Sequence, residues 1–241
     1  MLVEVYSDIA CPWCYVGKRR FEKALAEFAG ADAIEVVYRP YQLDPTTPEQ
    51  AAPLSAHLAA KFGADALPAM HARLNEVGMG EGISFDFDKA LSANTFTGHR
   101  LLWHALDAYG RDTQAALKDR LLKAYFSEGA NVGDHAQLVD AAVDAGMDRD
   151  RTAAFLASDA GVEETRREID EARQIGVTAV PTFVFAGKWA VQGAQETETF
   201  ARVLAQVTEQ VAAEAPAADE AAKPGEAGEA GDDCADGACA V

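Results

Sequence analysis

Cysteine is scarce in this chain, positive charge is outnumbered, and long apolar runs are missing. Four cysteines occur in 241 residues, two near each end. A disulfide scaffold would be shorter and denser in cysteine. Lysine and arginine number 21 against 39 acidic residues, a formal net charge of −18. That balance excludes a general nucleic-acid binder, which needs cations to displace counterions, and it disfavours anionic membranes. No run of eighteen apolar residues exists to span a bilayer. The opening "MLVEVYSDIACPWC" lacks a basic n-region and carries a charge by Glu4, so no signal peptide is expected. Those features predict a cytoplasmic protein, where paired cysteines serve metal binding or catalysis more often than structure.

About half of the residues are apolar, enough for a sizeable core. Residues 2–6, "LVEVY", alternate as a strand does, and "YVGKRRFEKALAEFAG" carries Phe21, Leu25 and Phe28 on one helical face up to a stop at Gly30. "IEVVYR" (34–39) reads as a second strand, with a crossover long enough for parallel pairing. From Asp44 to about residue 175 helical patterns dominate. One ends at Gly110, and another repeats Leu117, Leu121 and Tyr125. A third is capped by Asp134 with Gln137 three residues on, and the last stops at Gly176. "TFVF" and "KWAVQ" then flank the hairpin-like "AGK", and an amphipathic helix follows over about Glu196 to Ala212. Beyond it the composition falls to Ala, Glu, Asp, Gly and Pro, which predicts a disordered acidic tail. The expected organisation has an α/β domain made from residues 1–43 and 176–212, a helical insertion over 44–175, and a tail over 213–241.

Chemistry concentrates at Cys11 and Cys14, a CxxC where a strand hands over to a helix. Free backbone N–H groups and the helix dipole at that point favour a thiolate on Cys11, the attacking species in disulfide exchange. Lys18, Arg19 and Arg20 add positive charge, and Cys14 lies one turn further in. A structural zinc needs a second pair of ligands, and the tail's Cys234 and Cys239, in a C-x4-C, make a poor half-site. Far away in sequence, Pro181 follows Val180 at the first edge of a strand, the position a strand allows proline and a candidate for a cis bond. None of the five histidines shows a metal-like spacing, so each reads as a polar or capping residue. Trp103, Tyr109 and Tyr125 read as core, with the option of lining a groove over Cys11. "GMGEG" (78–82) reads as a turn, and Asp8 as a turn carboxylate or an aid to proton transfer.

The segments "SDIACPWCYVGKRRFE", "YRPYQLDP", "NTFTGHRLL", "AYFSEGANVGD", "GVTAVPTFVF" and "VQGAQ" together resemble the cytoplasmic FrnE-like branch of the DsbA family. The likeness runs over about residues 3–195. It implies a thioredoxin-like fold with an inserted α-helical domain and the activity of a thiol–disulfide oxidoreductase. It further implies Cys11 as exposed nucleophile, Cys14 as buried resolving thiol, Pro181 as the cis-proline and Val180 as the residue whose backbone pairs with substrate. Trp13 is the neighbouring substrate contact. Its partners are disulfide-containing proteins or small thiols, with thioredoxin or glutathione as reductant and no metal or organic cofactor. The dipeptide Pro12-Trp13 departs from the Pro-His of DsbA and the Gly-Pro of thioredoxin, which implies a less oxidising couple.

Cys234 and Cys239 serve as an auxiliary redox pair in one reading, since a flexible link of that length reaches roughly 25 Å; in the other they are two tail thiols without a role. Two alternatives stay open. One is a glutathione-dependent isomerase or transferase resembling hydroxychromene carboxylate isomerases and kappa-class transferases. The other is a non-catalytic metal-binding stress protein that uses all four cysteines.

Overall fold

The computed structural model describes residues 1–214. The predicted disordered tail, with Cys234 and Cys239, lies outside them.

A four-stranded sheet forms from β1 (Leu2–Ser7), β2 (Glu35–Pro40), β5 (Thr182–Phe185) and β6 (Trp189–Gln192), in the order β2-β1-β5-β6. β1 and β2 run parallel, with Val5 opposite Tyr38. β5 is antiparallel to both β1 and β6. The crossover between β1 and β2 is α1 (Pro12–Ala26), and α9 (Thr197–Glu214), the last element of the described residues, packs beside it. Side chains alternate across a strand, so Val3, Val5, Phe183 and Phe185 point to one face, where they meet Phe21 of α1 and Phe200 of α9. The rings of Phe21, Phe183 and Phe200 lie 4.6–5.4 Å apart, centre to centre. Each fully buried ring contributes about 2–3 kcal/mol. On the opposite face Tyr6 and Val184 pack with Ala172 of α8 (Val162–Gln174).

Between β2 and β5 lies the helical insertion. α2 (Leu54–Phe62) and α3 (Leu67–Gly80) come first, tied down by a two-stranded ladder of β3 (Ala52–Pro53) and β4 (Leu91–Ser92). Then follow α4 (Phe96–Tyr109), α5 (Arg111–Lys123), α6 (His135–Asp144), α7 (Arg149–Leu156) and α8. Gln114 of α5 joins insertion to sheet. Its side-chain amide accepts from the Tyr38 N–H and donates to the Tyr38 carbonyl, both at 2.9 Å. It thereby satisfies the backbone of an edge strand that would otherwise lie buried and unpaired. The insertion has its own core, into which Ile9, Tyr15 and Val16 from either side of the CxxC also pack. The cysteines thus stand on the seam between two cores.

Several expectations shift in detail. α1 ends at Ala26, before Gly30. α3 continues through Gly80, so the first half of "GMGEG" is helix and the turn starts at Glu81. α5 passes into a π turn over Ala124–Glu128, which carries Tyr125. α9 reaches Glu214, two residues into the segment assigned to the tail. Asp134 caps α6 by accepting from the Gln137 N–H at 3.0 Å, but the Gln137 side chain accepts from Asn131 instead of completing a capping box.

Candidate active site

Cys11 is the N-cap of α1, in extended conformation, and Pro12 occupies the first helical turn, where its missing N–H costs nothing. Cys14 follows one turn inside, its N–H donating to the Cys11 carbonyl at 3.0 Å. Both are free thiols. Across from them runs the loop into β5. The Val180–Pro181 peptide bond is cis, and the Cys11 thiol donates to the Val180 carbonyl at 3.6 Å. Gly17 allows this approach: a Cβ there would stand 2.9 Å from Pro181 Cγ, closer than packing tolerates. The far side of the loop is anchored by Gly193 N–H to the Pro181 carbonyl at 2.7 Å, and by Arg20 to the Ala194 carbonyl.

Cys11 was expected to be exposed; the structure corrects this. Its relative accessibility is 4 %, and that of Cys14 is 2 %. The segment after β2 and the pair α2–α3 roof the helix start, so Cys11 opens instead onto a cavity of about 340 Å³. Trp13, Tyr125 and Val180 line the same cavity. Trp103 and Tyr109 do not; they pack against the insertion core.

The source of positive charge is also different from the expected one. Lys18 is paired with Glu22 and Asp119, Arg19 with Asp119, and Arg20 with Glu81 and Glu196. The cation that reaches the sulfurs is Lys118 of α5, buried, with its ammonium 3.3 Å from the Ser7 carbonyl. Burial pulls its pKa down to about 8, against the attraction of Cys14 and Asp8. Burial also opposes charge on Cys14. Its pairing with Cys11 and the nearby Lys118 ammonium outweigh it and hold the Cys14 thiol below its usual range. The Cys11 thiol is pushed up, first by its hydrogen bond to Cys14 and then by burial. The favourable interactions thus converge on Cys14, where Lys118 lies, whereas helix-end electrostatics alone had pointed to Cys11. The pair behaves as one coupled acid.

Behind the pair, Asp8 and His99 form a second buried couple, with His99 Nε2 3.1 Å from Asp8 Oδ1. Asp8 also accepts from the Leu43 N–H at 2.8 Å. Gly98 lets α4 come this close, since a Cβ there would meet Ile9 Cδ1 at 2.7 Å. Burial opposes ionisation of Asp8, but His99, the Leu43 amide and Lys118 keep its pKa below the usual carboxylate range. Burial lowers the His99 pKa, so the imidazole is neutral and donates to the carboxylate.

The linkage sign follows from those directions. Below about pH 6.5 the unfolded chain takes up a proton that folded His99 refuses, so stability falls with acid. Asp8 adds stability above its unfolded pKa near 3.8, and loses it as pH drops through its lower folded value. His71 and His104, also lowered by burial, act in the same direction as His99. Urea unfolding between pH 7.5 and 5.5 is expected to show a falling midpoint, by at most about 1.4 kcal/mol per pH unit for each histidine. His99→Gln should make the slope shallower; an unchanged slope would mean that His99 does not titrate between the two states.

Lys118, His99 and the buried role of Asp8 escape a motif search. For Lys118 a signal is present. Gln114, Leu117, Lys118, Leu121 and Tyr125 share the spacing of a buried helical stripe, and polar residues inside such a stripe need internal partners. Among the described residues no group of three or more His, Cys, Asp or Glu is arranged to hold a metal, and no helix is long and apolar enough to cross a membrane.

A parallel strand–helix–strand start, two thiols at the helix end and a cis-proline loop opposite define the dithiol site of a thioredoxin-like fold. Comparison gives the family: the chain belongs to the DSBA-like thioredoxin domains, which match residues 2–205. Its neighbours there are oxidoreductases and isomerases. The crystal structure of a probable DsbA oxidoreductase from Streptomyces coelicolor is similar at 39 % identity and a TM-score of 0.80, covering 87 % of this chain and 91 % of that one. The uncharacterized protein YwbO of Bacillus subtilis is 26 % identical over 204 residues, 84 % of this chain and 94 % of that protein. The cytosolic disulfide reductase DsbM of Pseudomonas aeruginosa, solved with GSH, shares the fold at 15 % identity and a TM-score of 0.62, over 87 % of this chain and all of that one.

Proposed function

We propose that this protein is a thiol–disulfide oxidoreductase of the FrnE-like branch, acting on disulfide substrates in the cytoplasm. The observation that carries the reading is the Cys11 sulfur set 3.6 Å from the carbonyl of cis-linked Val180 with Cys14 one turn behind it. The Cys11 thiolate attacks a substrate disulfide, forms a mixed disulfide and expels one substrate thiolate. Cys14 then attacks Cys11 Sγ, releases the second substrate thiolate and leaves the protein with a Cys11–Cys14 disulfide. Glutathione or a thioredoxin-type dithiol returns the two electrons. Val180, Pro181 and Trp13 hold the substrate, and neither a metal nor an organic cofactor takes part. Sparing use of cysteine suits a compartment that keeps thiols reduced, and DsbM, which shares the fold, is a cytosolic disulfide reductase solved with GSH.

A glutathione redox titration with thiol trapping and peptide mapping tests the proposal. The expected result is a reversible Cys11–Cys14 disulfide forming within the cytoplasmic glutathione range, roughly −220 to −320 mV. Failure of the pair to form at any potential would end the dithiol mechanism. The same maps report whether Cys234 or Cys239 enters exchange.

A further inference from the structure

The cavity over Cys11 differs from a peptide-binding surface. It is a partly open recess of about 340 Å³, within the range of sites that take up small molecules. Its roof is Leu54 and Leu58 of α2 and Met70 and Leu74 of α3, each pair four residues apart and so on one helical face. Cys11 lies in its wall and is 4 % accessible. A thiol recessed in the wall of such a cavity is reached more readily by a small molecule than by a disulfide held in a folded protein. Leu43 and Phe62 line the cavity and remain 47 % and 50 % exposed, an apolar entrance that burial of a ligand would complete. Inside, His71 stacks on Phe87 at 4.2 Å, an aromatic pair in the cavity wall.

From these observations we infer that the preferred substrate class is a low-molecular-weight disulfide with an apolar, ring-sized substituent, bound in this cavity rather than along the surface. The inference rests on the oxidoreductase reading above and specifies its substrate. The reaction balances as before. Cys11 thiolate attacks R–S–S–R, one R–S⁻ leaves, Cys14 displaces the second R–S⁻, and the protein holds the disulfide until a thiol reductant supplies two electrons.

Two probes with similar leaving thiols isolate the role of the cavity: bis(2-phenylethyl) disulfide and bis(2-hydroxyethyl) disulfide. Matched leaving groups matter because leaving-thiol acidity alone changes exchange rates. Reduced full-length protein should react with the phenylethyl compound at least about tenfold faster, as burial of a ring warrants. It should also outpace reduction of a disulfide-bonded unfolded protein. Leu58→Trp, which fills the roof, should bring the ratio of the two rate constants to within about threefold, the burial advantage being lost. Met70→Trp is the parallel variant should Leu58→Trp fail to fold. Equal rates for the two probes with wild-type protein, or a ratio unmoved in the folded tryptophan variants, would overturn the substrate assignment while leaving the oxidoreductase intact. A wild-type pair that reacts with neither probe, and forms no disulfide in glutathione buffer, would instead refute the underlying activity.

Discussion

Replacing Cys11 with serine is expected to abolish disulfide reduction, with a loss of roughly 10³-fold or more, the scale on which removal of a covalent nucleophile is felt. The hydroxyl occupies nearly the same space at the N-cap of α1, so folding should be retained and serine is itself a favourable cap. Chemistry changes completely, because an alcohol ionises far above any working pH and does not attack sulfur as a thiolate does. Cys14→Ser should behave differently. Attack by Cys11 proceeds, but nothing displaces the substrate, and the reaction halts at the mixed disulfide. Intact-mass measurement after reaction with a small disulfide should show one adduct on Cys14→Ser, removable by dithiothreitol. Cys11→Ser should show none at this site, since Cys14 is 2 % accessible and lies behind Cys11. Peptide mapping assigns the adduct and separates it from any on Cys234 or Cys239. Sustained turnover by Cys14→Ser with glutathione at the wild-type rate would contradict the dithiol mechanism and bring the isomerase reading forward.

The framework of the site was legible because its parts are local. A strand, a Cys-Pro-Trp-Cys helix start and a Val-Pro strand edge each follow from a few adjacent residues, and Phe21 and Phe200 fall on their helical faces by period alone. What stayed hidden is set by tertiary contact. Asp8 and His99 are 91 residues apart, Lys118 and Ser7 are 111 apart, and no spacing rule connects them. The same holds for Cys11: the family resemblance implied an exposed sulfur, and only the folding of α2 and α3 over it makes a cavity. α7 was missed for another reason. Its eight residues, "RDRTAAFL", include four charged or polar side chains and few buried ones, so its pattern is weak and its Asp148 cap, which accepts from the Arg151 N–H at 2.8 Å, is its clearest signal. The basic run 18–20 misled in the opposite sense, since local sequence placed charge near Cys11 and the fold turned it towards acidic partners.

Lys118→Met should make the protein more stable and a poorer catalyst. Burying the ammonium with the Ser7 carbonyl as its hydrogen-bond acceptor is unfavourable, and the drop in pKa from 10.5 to about 8 corresponds to a cost of roughly 3 kcal/mol. The sign is that of a base depressed on folding. Between pH 8 and 10.5 the unfolded chain holds a proton that the folded protein has released, so stability rises with pH across that window, and the full cost applies below it. Methionine fills similar volume without charge, and the gain should appear at pH 7 and vanish towards pH 10.5. The oxidised protein, measured by urea unfolding, should show at least this gain, because it lacks the active-site thiols whose attraction raises the Lys118 pKa in the reduced state. In the reduced protein the same charge favours the Cys14 thiolate, and loss of a neighbouring cation typically raises an acid's pKa by 1–3 units. Such a rise lowers the thiolate population near neutral pH, while the greater nucleophilicity of a more basic thiolate offsets part of the loss. The net expectation is a slower exchange rate at pH 7, with the thiolate absorbance appearing at higher pH. The reduced state also loses its stabilisation relative to the disulfide, so the potential should fall by about 30 mV for each tenfold change in the equilibrium. A variant that gains stability without any movement of thiol pKa or potential would show that Lys118 is buried for packing alone. One that loses stability at pH 7 would show that Asp8 compensates the ammonium in full.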